Sequence, residues 1–271
     1  MVRSLWTGAT GMIAQQVNMD TIANNLANVN TTGYKTQTNE FKSLLYQTIQ
    51  TETTSANGEQ KPTRAQVGLG VRNAAINTNF NQGSLLASES STSFAIDGKG
   101  FFAVQGEDGN TYYTRNGTFQ WTLANDGNML ADANGQPVLD TTGKPIVLSQ
   151  DYVVSQITVT KDGTVCYPDE KNNPQPIGMK IGLWQFSNPN GLFREGEGLY
   201  SQTAASGQPL NEETNASLKK SSIIQGYLEG SNVAVVDEMV NMITTQRAYE
   251  FNSKIITTSD TMLEEANNLR R

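Results

Sequence analysis

All eight prolines of this 271-residue chain fall between Pro62 and Pro209, and most of its glycines fall there too. Proline removes the backbone donor that a helix interior or a central strand requires. The two proline-free ends can therefore run as long helices, while the middle is broken into short pieces. The N-terminal end has the periodicity to match. Leu5, Ala9, Met12, Gln16, Met19, Ala23 and Leu26 alternate steps of four and three, a heptad seam with one polar position. Trp6, Ile13, Val17 and Ile22 widen the apolar stripe. A helix is expected over about Ser4–Val29, with Gly33 after Thr31-Thr32 as its stop.

The C-terminal end repeats the pattern. Asn232 is the expected cap, and Val235, Met239, Met242, Gln246, Tyr249, Ser253, Ile256 and Leu263 continue a heptad line. Val236, Val240, Ile243, Phe251 and Ile255 broaden it, and the helix can reach Leu269. Lys254 and Arg270-Arg271 suit the negative end of its dipole. The middle reads differently. Asp108-Gly109, Asn116-Gly117, Asp126-Gly127 and Asn134-Gly135 recur at short intervals, followed by Thr142-Gly143 and Asp162-Gly163. Such pairs supply the positive φ of hairpin turns between short antiparallel strands. Strands are expected at Phe101–Val104, Thr111–Thr114, Val153-Val154 and Ile157–Val159. Residues 34–72 belong to neither half. They open on a helix-compatible run, Phe41–Tyr46, and turn polar from Thr51 to Arg64.

The fold class is thus mixed: an all-β central domain inserted between N- and C-terminal amphipathic α-helices. Each helix has one apolar face and no other helix in the chain to cover it. They must pair with each other, with copies in other subunits, or both.

Composition removes most chemistry. The chain has one cysteine, Cys166, and no histidine, which excludes an internal disulfide, a Cys/His zinc site and an imidazole base. A net charge of −7 argues against nucleic acid and against an anionic membrane surface. No apolar run reaches membrane-spanning length. Gln15, Gln16, Asn18 and Asp20 interrupt what would be the apolar core of a secretion signal, so no cleaved signal is expected. Only 17% of residues are charged; asparagine and threonine fill the gap, giving a polar but largely uncharged surface.

No local motif points to catalysis, a cofactor or a metal. Gly98-Lys99-Gly100-Phe101-Phe102-Ala103 matches a dinucleotide fingerprint, but it leads into an aromatic β run rather than a helix and reads as a hairpin turn. Asp126, Asn128, Asp132 and Asn134 depart from the calcium-loop order, with Leu130 where its first Asp belongs, and read as turn residues. The carboxylate pairs Glu195/Glu197 and Asp169/Glu170 sit in loops, and Cys166 reads as a small strand-edge residue. Asn18, Asn24, Asn25, Asn28 and Asn30 crowd beside the apolar seam. They fit either a solvated face or hydrogen-bonding contacts that fix register in a helix assembly.

The segment Asn24-Asn25-Leu26-Ala27-Asn28-Val29-Asn30-Thr31-Thr32-Gly33-Tyr34-Lys35 resembles the N-terminal signature of bacterial flagellar rod and hook proteins. Ser4-Leu5-Trp6, Gln15–Asp20, Phe41, Leu44–Thr48 and Val67–Val71 resemble the distal-rod member in particular. Ile96–Phe102, Tyr113–Phe119 and the stretch from Glu229–Val233 through Glu238–Ile243 to Gln246–Glu250 are similar to further family markers.

The resemblance implies a structural subunit of the distal rod, a non-enzymatic, self-assembling helical tube that transmits torque from motor to hook. It implies that the helices of residues 1–33 and 231–271 pair as a coiled coil in an inner tube, that 34–74 is an extended rod-specific arm, and that 75–230 is an outer β domain with a trailing linker. The implied partners are further copies in a homo-oligomer, other rod, hook and surrounding ring proteins, and the flagellar type III export apparatus. The implied location is the basal body in the cell envelope. On this reading the assembly interface draws Leu5, Trp6, Met12, Ile13, Met19 and Leu26 from the first helix. It draws Asn24, Asn25, Asn28, Asn30, Gly33 and Tyr34 from the signature, and Met239, Met242, Ile243, Gln246, Tyr249, Ile256 and Leu263 from the last helix. The alternatives are a proximal-rod or hook member of the same family, or a β-rich cell-wall binding or hydrolytic module.

Overall fold

The computed structural model describes residues 2–50, 65–124, 127–150, 152–169, 171, 173–215 and 217–269. The chain forms two compact units: residues 1–27, 37–78 and 234–271 in one, and 28–36 with 79–233 in the other. The expected turn residue Asp126, Glu170 of one carboxylate pair, the polar run from Thr51 to Arg64 and the terminal Arg270-Arg271 lie outside the described residues.

The first unit contains both helices. Helix α1 covers Val2–Ala27 and α2 covers Val235–Asn268, close to the expected spans. Asn232 is not the cap of α2. Ala234 takes that position with no side-chain bond, and Asp237 and Glu238 in the first turn complement the positive end of the helix. Asn232 is held elsewhere: its Oδ1 accepts both the amide and the hydroxyl of Thr36, each at 2.7 Å.

The run Phe41–Tyr46 is not helical. Strand β1 (Gln37–Ser43) and strand β2 (Tyr46–Gln50) share it, and they pair antiparallel with β4 (Val71–Thr78) and β3 (Ala65–Gly68). Leu44 N–H donates to Gly70 O at 2.8 Å and Leu69 N–H to Leu45 O at 3.2 Å, so the two ladders join as one ribbon. The weak helix propensity of six residues is overridden by ladders that pair Phe41, Lys42 and Ser43 with Asn73, Arg72 and Val71, and Tyr46 with Gly68.

The second unit is antiparallel β throughout. Its largest sheet has six strands, in the order Phe193–Gly196, Leu199–Ser201, Thr111–Thr114, Phe101–Gln105, Leu183–Gln185 and Leu210–Asn211. Period-two alternation gives this sheet two apolar faces. Phe102 and Val104 enter a core with Phe94, Phe119, Leu130, Ile146 and Ile223. Phe101 and Ala103 face the other way, onto Tyr113, Trp184, Phe186 and Tyr200. Phe101 meets Tyr200 edge-on at 6.1 Å, and Tyr113 meets Phe186 at 4.8 Å.

Most expected turns occur. Gly109, Gly135, Gly143 and Gly163 have φ of 75, 80, 79 and 83°. Gly117 is an exception: it is glycine because an added Cβ would collide with the Phe94 carbonyl, not because of a left-handed turn. Three further readings change. Val154–Gln156 is a 3₁₀ turn rather than a strand. Cys166 is buried in Thr164–Pro168, the central strand of a three-stranded sheet, not an edge. The Gly98–Gly100 turn joins two strands that do not pair with each other, because Phe94–Asp97 pairs with Ser222–Gln225; it is not a hairpin.

Asp132 gives a pH-dependent test of this unit. Burial raises its pKa above the ordinary carboxylate value of 3.8, opposed by the Ala133 amide and reinforced by Glu197. Its ionised form therefore disfavours the fold once pH exceeds the folded pKa, and protonation relieves that cost. Asp132→Asn keeps an oxygen to accept the Ala133 N–H. It is expected to raise the thermal midpoint at pH 7, with the gain shrinking to nothing as pH is lowered through the acidic range.

Candidate assembly surface

The contact between α1 and α2 is built from small and polar residues. Ser4 Oγ lies 3.1 Å from Ser259 Oγ, and Asn18 Nδ2 donates to Thr245 Oγ1 at 2.8 Å. A Cβ on Gly8 would stand 3.0 Å from Ile256 Cγ1, and one on Gly11 only 2.8 Å from the Asn252 amide. Partners on α2 fall in number as those on α1 rise, so the helices run antiparallel. Ser4, Gly8, Gly11, Gln15, Asn18, Ile22 and Asn25 form a second heptad line, one residue ahead of the apolar seam Leu5–Leu26. Small residues on that line let the helix backbones approach closely.

The apolar sides are left outward within this unit. Trp6 and Ile13 are 66% and 62% exposed on α1. Val236, Val240, Ile243, Phe251, Ile255 and Met262 form an exposed stripe on α2, with Val236 at 73% and Phe251 at 68%. Val236, Val240 and Ile243 lie three or four residues apart, on the side of α2 away from the buried Glu238 and Thr245, and Phe251, Ile255 and Met262 carry the stripe round the helix to the side of the buried Ser259.

Amides join the β ribbon to α1. Asn25 is fully buried: its Nδ2 donates to Gln37 O at 2.8 Å and its Oδ1 accepts the Gln37 amide at 2.9 Å. Asn39 Nδ2 donates to Val17 O at 3.1 Å and to Thr21 Oγ1 at 2.9 Å. With Asn18 bonded to Thr245, an amide chain links β1, α1 and α2.

The expected interface residues separate into three environments. Trp6, Ile13, Met239, Ile243, Gln246 and Tyr249 are exposed, as are Asn24 and Asn30. Leu5, Met12, Met19, Leu26, Met242, Ile256 and Leu263 are half-buried. Asn28 and Tyr34 are half-buried, and Gly33 is buried, all three in the second unit. Asn28 Oδ1 accepts the Thr31 hydroxyl at 3.1 Å, and Gly33, with φ of 70°, donates its amide to Glu229 O at 2.8 Å. Sequence reading passed over Ser4, Gly8, Gly11, Thr245, Asn252 and Ser259, which make the helix contact. Their signal was the heptad spacing of small residues one position ahead of the apolar seam.

The second unit holds a buried charge cluster beside the signature. Lys35 Nζ lies 2.6 Å from Glu229 Oε1, and Arg115 lies 3.2 Å from Glu229 Oε2. Both pairs are almost wholly buried. Burial lowers the pKa of Lys35 and of Arg115, and the Glu229 carboxylate opposes that shift in each. Arg115 also donates to Gly98 O at 2.8 Å and lies 5.0 Å from the Phe101 ring centre. The cluster is structural: among the described residues, no group of three or more His, Cys, Asp or Glu is placed to hold a metal. No helix among them is long and apolar enough to cross a membrane.

These features define a structural protein whose helices carry an exposed apolar side. Residues 5–35 match the flagella basal body rod protein model, residues 95–167 the flagellar hook protein FlgE/F/G D1 domain, and residues 224–269 the flagellar basal body rod FlgEFG protein C-terminal model. The chain is 42% identical to the flagellar basal-body rod protein FlgG of Borreliella burgdorferi, covering 100% of both chains. It is 43% identical to that of Buchnera aphidicola subsp. Schizaphis graminum, over 99% of this chain and 100% of the relative. For FlgG of Bacillus subtilis the identity is 35%, over 100% of both. The chain belongs to the FlgG family of flagellar basal-body rod proteins. It is a structural rod subunit and not an enzyme.

Two substitutions test the geometry. Gly11→Leu cannot fit against Asn252, and is expected to destabilise the helix pair by about 1–3 kcal/mol while the β unit melts unchanged, read by helical circular dichroism against near-ultraviolet signal. Glu229→Gln leaves two buried cations with a weaker partner. It is expected to cost about 3–5 kcal/mol in denaturant unfolding, with partial recovery when Lys35→Met is added.

Proposed function

We propose that this chain is the distal-rod subunit, assembling with further copies of itself into a helical tube that carries torque from motor to hook. The exposed apolar stripe of α2 carries this reading. An apolar surface on a rod subunit calls for a partner; Val236, Val240 and Ile243 share one side of the helix, and Phe251 and Ile255 continue the exposed surface round it. In the assembled tube the helices pack as coiled coils in the inner layer. Trp6 and Ile13 join the stripe there, and the half-buried Leu5, Met12, Met19, Met242, Ile256 and Leu263 complete the apolar contacts. Asn24, Asn30, Met239, Gln246 and Tyr249 meet neighbouring copies at the polar rim.

The further partners on this reading are the adjoining rod and hook proteins, the surrounding rings and the type III export apparatus, which passes the chain into the envelope without cleaving it. The weakly charged surface suits such an assembly. Amides desolvate at lower cost than charges, and identical copies stacked along a tube repel one another less.

The paired substitution Ile243→Glu with Phe251→Glu puts charge on the stripe while leaving the α1 contact untouched. Wild-type protein at high concentration is expected to form tubes in electron micrographs. The variant is expected to stay monomeric with its helical content retained, and to fail to restore swimming to a strain lacking its own distal-rod subunit. A wild-type protein that neither polymerises nor restores swimming would overturn the reading, and so would a variant that does both.

A further inference from the structure

The chain passes between its two units four times, at 27/28, 36/37, 78/79 and 233/234. The residues next to the last three of these crossings meet in one place within the second unit. Asn79 N–H donates to Thr36 O at 2.8 Å, and Thr36 donates its amide and hydroxyl to Asn232 Oδ1. The other end of the Asn232 amide donates to Asn79 O at 2.8 Å and Asn81 O at 3.0 Å. One layer deeper, Lys35 Nζ bonds Asn81 O at 2.8 Å and Glu229 Oε1 at 2.6 Å, and the same Oε1 accepts the Gly83 amide at 2.9 Å. Gly33 N–H closes the set on Glu229 O, and Arg115 fixes the carboxylate to the sheet that carries Phe101.

We propose that residues 33–36, 79–83 and 229–232 form a single cooperative clamp that ties together the chain beside three of the four crossings, so that the three segments open together or not at all. The chemistry gives the reason. Glu229 and Asn232 each bond two of the other segments at once, so loosening one segment strips partners from both others. A buried carboxylate whose donors leave it becomes unfavourable in place. The cooperative clamp does not rest on the rod reading; it is a property of the folded subunit.

Hydrogen exchange on the full-length protein tests it, using two uncharged substitutions that leave the buried ions in place. Asn232→Ala removes the amide bonded by both other segments. Thr36→Val removes one hydroxyl from the opposite side and keeps the backbone donor. Asn232→Ala is expected to speed exchange about tenfold in all three segments together, and Thr36→Val to do so to a smaller extent. Protection across Phe101–Gln105 and Thr111–Thr114 is expected to stay unchanged. Faster exchange confined to the mutated segment would overturn the clamp. So would a loss of protection spread evenly through the β unit, which would show general destabilisation instead.

Discussion

Glu229 is a carboxylate with no exposed side-chain surface, and a charge in that position persists only if every donor around it is held in place. The donors come from distant parts of the chain: Lys35 just past the first helix, Gly83 just past the ribbon, and Arg115 just past the strand Thr111–Thr114 of the main sheet. No local propensity could bring them together. The β unit therefore includes residues 28–36, a piece of the N-terminal signature that by sequence belongs with the helix before it. Those nine residues connect helix to ribbon and at the same time complete the electrostatics of the β unit. This fits a subunit that must keep its exits fixed, because an apolar core is slippery with respect to small shifts whereas a buried ion with directional partners is not.

In the helix unit the usual arrangement is turned round. A monomeric helical hairpin normally hides its apolar seam against its partner. Here Ser4, Gly8, Gly11 and Asn18 meet Ser259, Ile256, Asn252 and Thr245, while Trp6, Ile13, Val240, Ile243 and Phe251 stay uncovered. Close backbone approach and a few hydrogen bonds set the register of the pair. The larger hydrophobic contribution, about 25 cal/mol per Å² of apolar surface, is left unrealised on the exposed side. Two overlapping heptad lines, one residue apart, thus run along the same helix, and the α1–α2 contact follows the small-residue one.

How much of this was legible follows from the range of each interaction. The two helices and most Asx-Gly turns were readable because the spacing of side chains and the φ preference of glycine act within a few residues. The aromatic β runs were readable for the same reason. Phe41–Tyr46 was misread because its partner, Val71–Thr78, is too far along the chain to contribute to local propensity. Asn232 looked like a cap from its position two residues before Ala234, yet it is committed to Thr36, nearly the whole chain away. Gly117 looked like a turn glycine, and only the Phe94 carbonyl shows that close approach is what requires it. The apolar seam was expected to pair with the other helix, with other copies or both. The α1–α2 contact follows the small-residue line beside it, a weaker sequence signal than a row of leucines and methionines.

The surplus of asparagine then has a physical explanation beyond low charge. An amide offers a donor and an acceptor on one rigid group, so Asn25 alone satisfies both the N–H and the C=O of Gln37, and Asn232 binds two separate backbone segments. A lysine or glutamate in those places could donate or accept but not both, and would bring a desolvation cost several-fold larger. Threonine does the same at shorter reach, as at Thr21, Thr36 and Thr245. Polar, uncharged side chains thus fix geometry inside the subunit without consuming its apolar surface. Had the helices been joined through their hydrophobic seam instead, less apolar surface would stand exposed on them.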